Sequence, residues 1–260
     1  MTAISGVWGN GQVIAHRGSR ILWPENTMVA FARALELGAD HLETDLRRTA
    51  DGHLACFHDD TVERTTNGTG PVGAYTLAGL RELDAGFRHR VDGAYPFRGR
   101  GMRVPTLGEV LATFPEAGVV VDLKEDWLEA ELTELLDRMD AWHRVIVGSF
   151  SDARLERMRR ASEGRALVSA GPLAARRWWL ASRLGRGGPG GMAALQVPPT
   201  SGGLRVVDRR LVEAAHARGV AVHVWTVNLP QEMGSLWSLG VDALITDRVD
   251  LAVGSPAEAG

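Results

Sequence analysis

Cysteine is almost missing from this chain. Of 260 residues one is cysteine, Cys56, so no internal disulfide can form and nothing calls for an oxidising compartment. Lysine is as scarce: Lys124 is the single one, and every other fixed positive side chain is arginine. Long apolar runs are absent. No stretch approaches the ~20 residues that span a bilayer, which speaks against stable membrane insertion. Residues 1–11 lack both a basic opening and an apolar segment, which speaks against a signal peptide, and the expected location is cytoplasmic. Charge of one sign is lacking too. With 29 basic and 32 acidic residues the formal net charge is −3, so no nucleic-acid partner is expected, although a local basic patch stays open. Glycine (31) and proline (11) stay well short of a low-complexity composition, and 45% hydrophobic residues exclude a disordered or fibrous chain.

What is present is an alternation. Short β-rich runs at 12–15, 41–46, 53–57, 119–123, 145–149, 166–169, 194–197, 220–226 and 243–246 are separated by amphipathic helical patterns. These helices are expected at 26–38, 127–139, 152–161, 172–184, 208–218 and 231–239. Repeated β-then-α units argue for a parallel sheet with helices outside it. About eight such units favour an α/β (β/α)₈ TIM barrel, with a doubly wound open sheet as the alternative. Residues 59–105 break the rhythm, with a short helical signal at 77–83, and are too long for an ordinary loop. They predict a structured insertion at the barrel mouth within a single domain spanning 1–260. Residues 185–191 (GRGGPGG) read as a flexible connection, and 254–260 as a frayed tail.

In a barrel the C-terminal strand ends converge on the active site. The first run ends at His16-Arg17-Gly18, the second carries Glu43-x-Asp45, the third ends at His58-Asp59 and the next at Asp122-x-Lys124. Glu43 and Asp45, two apart on a strand, leave from one face. Carboxylates that close repel unless a proton or a metal sits between them. Asp122 would add a third oxygen, and an all-carboxylate set selects one hard divalent cation, Mg²⁺ or Ca²⁺. The plain alternative is a pair of charges at a solvated strand end. His16 and His58 invite an acid–base reading, against that of hydrogen-bonded structural groups. Arg17 offers a fork and Lys124 a point charge for phosphate oxygens; either can instead pair with the nearby carboxylates. Phe150 and Trp225 are candidates to wall a substrate pocket, with core packing as the alternative. The other histidines (41, 53, 89, 143, 216 and 223) read as structural, and Cys56 carries no assigned role. Arg176-Arg177-Trp178-Trp179 reads either as a membrane-interfacial surface or as a barrel helix with Trp inward and Arg outward.

Further motifs extend the pattern: Pro24-Glu25-Asn26-Thr27, Thr49-x-Asp51-Gly52, Arg64-Thr65-Thr66-Asn67-Gly68-x-Gly70, Leu83-Asp84-x-Gly86, Ser149-Phe150, Trp225-Thr226-Val227-Asn228 and Thr246-Asp247. As a set, in this order over nearly the whole chain, they resemble the glycerophosphodiester phosphodiesterase family. The resemblance implies a TIM barrel with a small insertion after the second β/α unit. It also implies metal-dependent hydrolysis of small-molecule glycerophosphodiesters to glycerol 3-phosphate and an alcohol. Carried over by position, His16 and His58 match the acid–base pair, with His16 assigned as base and His58 as acid. Glu43, Asp45 and Asp122 match the metal ligands, Arg17 and Lys124 the phosphate contacts, and Glu25 an orienting group. The nucleophile is either water or the neighbouring glycerol hydroxyl. One position departs: the family commonly has Glu where this chain has the shorter Asp122, with Glu125 as a spare carboxylate nearby.

Three other readings stand beside this one. Lysophospholipase D-like hydrolysis would use the same site, marked by an apolar groove leading from it rather than a deep polar pocket. A barrel that binds phosphodiesters without turnover is opposed by the filled acid–base and metal positions. A metal-dependent isomerase or aldolase would need a carbonyl-substrate base or a Schiff-base lysine, and Lys124 is the single lysine. The oligomeric state is not legible in the sequence.

Overall fold

The structure, a computed structural model, describes residues 7–254. Of the tail expected at 254–260, all but Gly254 lies outside the described residues, as do residues 1–6 of the opening stretch.

Runs such as QVIA, GVVVDL and VIVG are buried at almost every residue, as strands covered on both faces must be. The strands are β1 (Gln12–Ala15), β2 (His41–Arg48), β3 (Leu54–Cys56), β4 (Gly118–Leu123), β5 (Val145–Gly148), β6 (Leu167–Val168), β7 (Ala194–Val197), β8 (Thr200–Ser201), β9 (Leu204–Arg205), β10 (Ala221–Val224) and β11 (Ala243–Thr246). The helices are α1 (Met28–Glu36), α2 (Leu77–Arg81), α3 (Leu107–Thr113), α4 (Glu129–Arg138), α5 (Asp152–Ala161), α6 (Pro172–Arg183), α7 (Arg209–His216), α8 (Pro230–Trp237) and α9 (Val249–Ala252).

Eight strands run parallel in the order β6-β5-β4-β2-β1-β11-β10-β7. The ends of this sheet meet through a parallel bridge between Ser169 and Ala194, where the Ala170 N–H donates to the Ala194 carbonyl at 2.9 Å. The result is the nearly closed (β/α)₈ barrel that the alternation predicts. One run is corrected. Residues 53–57 do not supply a barrel strand: β3 turns back and pairs antiparallel with β2, Leu46 facing Cys56. The turn at Asp51-Gly52 makes this a hairpin, so β4 rather than β3 lies beside β2 in the barrel.

The main core lies between the strands and the helices around them, where Phe31, Leu42, Leu132 and Trp178 pack out of reach of solvent. A smaller cluster fills the barrel, with Ile14, Val120, Ile146 and Ile245 stacked above Trp8. Trp8 closes the N-terminal end, its ring 4.4 Å from that of His41 between centroids. It also lies over Gly118, where a Cβ would meet it at 2.8 Å. The segment that follows β3 builds a third cluster of its own from Ala55, Phe57, Val62, Val72, Leu80 and Val104. Residues 185–191 are irregular but anchored. Gly188 lies flat on Trp178, where a Cβ would come within 2.4 Å, and the Trp178 indole donates to the Pro189 carbonyl at 3.0 Å. Among the described residues no helix is long and apolar enough to cross a membrane.

Candidate active site

A cavity of about 830 Å³ opens at the C-terminal strand ends and is lined by all nine residues singled out above. Local structure explains why they meet. Beyond β1 the chain makes a single 3₁₀ turn, His16–Gly18, with Arg17 at φ 50° and Gly18 at φ 78°. Gly18 fits because nothing larger would: a Cβ there would lie 2.7 Å from that of Ala30 in α1. The turn brings His16 and Arg17 to the cavity. Glu43 and Asp45 face it together from β2, and Asp45 sits directly opposite Asp122 in the β2–β4 register.

The carboxylates are laced by cations. The Lys124 ammonium donates to Asp122 Oδ2 at 2.6 Å and lies 3.0 Å from Asp45 Oδ1. Arg17 donates its backbone N–H to Glu43 Oε2 at 2.9 Å, while its Nε lies 3.1 Å from Asp45 Oδ2. Asn26, buried before α1, donates from Nδ2 to Asp45 Oδ2 at 3.0 Å. Each histidine is held through Nδ1 by a carboxylate: His16 by Asp247 Oδ1 and His58 by Asp59 Oδ1, both at 2.6 Å. The Nε2 of His16 is 3.9 Å from Glu43 Oε2.

Burial and charge set the protonation states. Burial, reinforced by Asp45, pushes Glu43 up to about 7. Burial opposes the charge of Asp45 as well, but Arg17 and Lys124 hold its carboxyl below the usual range. Burial wins at Asp122, which is raised despite Lys124. It would also discharge Lys124, yet Asp45 and Asp122 raise the ammonium above its ordinary value and keep it protonated. His58 is lowered by burial. Asp247, although burial pushes it upward, is drawn down to about 2 by His16 and Arg20.

The sequence profile of the glycerophosphoryl diester phosphodiesterase family matches residues 16–251, the span from His16 to α9. The chain belongs to that family. A glycerophosphodiester phosphodiesterase of Caldanaerobacter subterraneus is 34% identical over 245 residues, covering 90% of this chain and 93% of its own. One of Bacillus subtilis is 31% identical over 255 residues, covering 92% and 84%. Among solved structures, the glycerophosphodiester phosphodiesterase of Agrobacterium tumefaciens superposes with a TM-score of 0.76 at 27% identity, over 93% of this chain and 99% of that one. A phosphodiesterase of Oleispira antarctica, solved with the product sn-glycerol-3-phosphate, gives 0.74 at 26% identity, over 94% and 97%.

The donor chemistry fits a hard divalent cation. Asp122 Oδ1 is buried without a hydrogen-bond partner. Burial first and the neighbouring Asp45 second raise the Glu43 carboxyl, with His16, Arg17 and Lys124 opposing. Among the described residues, though, no three His, Cys, Asp or Glu side chains are gathered into one ligand cluster. The Lys124 ammonium stands between Asp45 and Asp122 and takes an oxygen from each.

His58 reaches the cavity from the end of the β2–β3 hairpin, not from a third barrel strand. The Arg47 side chain fixes this segment by donating to the His58 carbonyl at 3.0 Å. Glu125 turns away from the cavity and accepts the Arg48 N–H at 3.0 Å. Glu25 binds Arg17 at 3.1 Å and accepts both arms of Arg64 at 2.7 Å each, so it orients cations. Phe150 and Trp225 both line the cavity, with Phe150 65% exposed. In the Arg176–Trp179 run, Trp178 is buried and both arginines are exposed, while Arg176 and Trp179 line the cavity.

The residues that sequence reasoning left without a role are the partners: Asp247, Asn228, Asn26, Asp59 and Arg64. Asn228 donates to Asp247 Oδ2 at 3.0 Å and accepts the Asp247 N–H at 2.9 Å. All five stand in motifs quoted from the sequence without a role; Asp247 directly follows a barrel strand and Asp59 directly follows a histidine.

Proposed function

We propose that this chain hydrolyses glycerophosphodiesters to sn-glycerol 3-phosphate and an alcohol, with His16 as general base, His58 as general acid and one divalent cation, Mg²⁺ or Ca²⁺. The observation that supports this best is a pair of carboxylate-held imidazoles flanking a buried acidic cluster in one cavity. Glu43, Asp45 and Asp122 would hold the cation. When bound, it supplies Lewis-acid stabilisation of a phosphate oxygen.

The chain's own groups do the rest. Asp247 on Nδ1 of His16 fixes the ring and favours the tautomer whose Nε2 is free to accept a proton from the attacking hydroxyl. His58, held likewise by Asp59, donates to the departing alkoxide. Burial lowers its pKa, which makes the imidazolium the stronger acid. Arg17 and Lys124, both protonated, offer N–H donors to the oxygens on which negative charge grows.

The test is a release assay for sn-glycerol 3-phosphate from glycerophosphocholine and glycerophosphoethanolamine in Mg²⁺, in Ca²⁺ and in chelator. Release with either ion and loss in chelator are expected. Undiminished release in chelator removes the cation from this reading, and binding of the diesters without release leaves only a binding barrel.

A further inference from the structure

Residues 86–103 of the insertion reverse the sign of the molecule locally. They carry Arg88, Arg90, Arg98, Arg100 and Arg103 against one acid, Asp92, in a chain of formal net charge −3. All five arginines are exposed, and none of them lines the cavity. The neighbouring Arg64 and Arg81 are paired, with Asp59 and Glu109. Among the described residues none of the five lies within ion-pair distance of a carboxylate, so their charge is left for something outside the chain.

The patch is held in shape before anything binds. Asp84 accepts the Gly86 N–H at 2.9 Å and the Gly99 N–H at 2.7 Å, closing the segment into a loop. Val91 and Ala94 exchange both backbone hydrogen bonds across the turn at Asp92-Gly93. The Arg98 guanidinium lies over the rings of Phe87 and Tyr95, 4.2 and 3.8 Å from their centroids, and its Nε donates to the Phe87 carbonyl at 3.0 Å. Arg88 flanks the same Phe87 ring at 5.4 Å and donates from Nε to the Thr66 carbonyl at 3.2 Å. Its backbone N–H meets the Thr65 carbonyl, next to the Arg64 that holds Glu25, so the patch stands beside the barrel mouth.

Two anionic partners match an arginine patch, a nucleic acid or a phospholipid surface. Single-stranded nucleic acid needs free aromatic faces on which bases stack, and here Arg98 already covers Phe87 and Tyr95. A lipid surface asks instead for arginines beside half-exposed apolar and aromatic groups that can settle among headgroups, and Val91 (38% exposed) and Tyr95 (41%) supply them. We propose that residues 86–103 dock the protein reversibly on a phospholipid surface of net negative charge, through guanidinium-to-phosphate contacts with Val91 and Tyr95 at the headgroup level. The docking does not depend on the reaction proposed above, because no group assigned to that reaction takes part.

The experiment floats the full chain with vesicles of phosphatidylglycerol and phosphatidylcholine in equal parts and with vesicles of phosphatidylcholine alone, and titrates it with a single-stranded RNA oligonucleotide. Binding to the anionic vesicles is expected at ~50 mM salt, weakened tenfold or more at ~0.5 M, with none to phosphatidylcholine alone. Arg90, Arg100 and Arg103 make no side-chain hydrogen bond among the described residues, unlike Arg88 and Arg98. The variant Arg90→Gln, Arg100→Gln, Arg103→Gln therefore keeps the parent's thermal midpoint and binds the anionic vesicles roughly 100-fold more weakly. Its counterpart Arg90→Lys, Arg100→Lys, Arg103→Lys keeps the binding, since charge is what is read. Failure of the parent chain to float with anionic vesicles overturns the proposal, as does equal affinity in parent and glutamine variant or for the two kinds of vesicle. RNA bound more tightly than vesicles, and lost in the glutamine variant, overturns it in favour of a nucleic-acid contact.

Discussion

The two histidines share a geometry but not a surrounding. Asp247, which holds His16, is fully buried and is itself gripped by Arg20 Nε at 2.9 Å and Asn228 at 3.0 Å. Asp59, which holds His58, is 26% exposed and leans on Arg64. Truncating either ring, in His16→Ala or His58→Ala, is expected to lower kcat by ~10²–10⁴-fold. Asp247→Asn is expected to cost on the order of 10²-fold in kcat with little change in KM, because an amide no longer enforces the tautomer. Asp59→Asn is expected to cost less, since Asp59 is partly exposed and solvent can reach the ring it holds. Steady-state hydrolysis of glycerophosphocholine reads all four, and near-normal turnover in either alanine variant strikes that histidine from the chemistry. The residues that meet in the cavity were legible in the sequence because strand-end positions concentrate them. Their partners were not: Asn26 reads as the start of a helix, yet its amide donates to Asp45 while Thr27 takes the cap, accepting the Ala30 N–H at 3.2 Å.

The 3₁₀ turn after β1 shows how one short element sets the site. In Gly18→Ala a side chain must adopt φ 78° and enter a space where its Cβ lies 2.7 Å from that of Ala30. Left-handed strain and overpacking together predict a loss of roughly 2–4 kcal/mol. A urea midpoint unchanged from that of the parent chain would contradict the close approach; a lower one accompanied by reduced kcat is expected, since His16 opens the turn. Most barrel strands and helices could be drawn from periodicity, and α5 falls where its pattern placed it. Not all were: β8, β9, α3 and α9 were left undrawn. The pairing direction of β3 is invisible to alternation, which reads the same for parallel and antiparallel partners. Helix α3 went undrawn although Thr106 and Glu109 form a capping box ahead of Leu107, Val110 and Leu111.

Taken as one object, the barrel keeps charge at its C-terminal mouth and closes its other end with neutral rings. Inside that closed end, His223 is fully buried, has no partner on Nδ1 and is lowered to about 3 by burial, with His41 adding to the effect. The unfolded chain takes up a proton near pH 6.5 that the folded chain refuses until about 3. Stability from this group is therefore complete above pH 6.5 and is lost as pH falls toward 3. Between pH 7 and pH 5 the loss is about 2 kcal/mol. Thermal unfolding at both pH values should show a smaller drop for His223→Leu than for the parent chain; equal drops would place the titration elsewhere. At the mouth, the ammonium of Lys124 bridges Asp45 and Asp122 and is the only side chain of its kind in the sequence. A nitrogen-detected spectrum of lysine-labelled protein would thus carry one side-chain resonance, a built-in reporter whose position follows every ion or phosphate that enters.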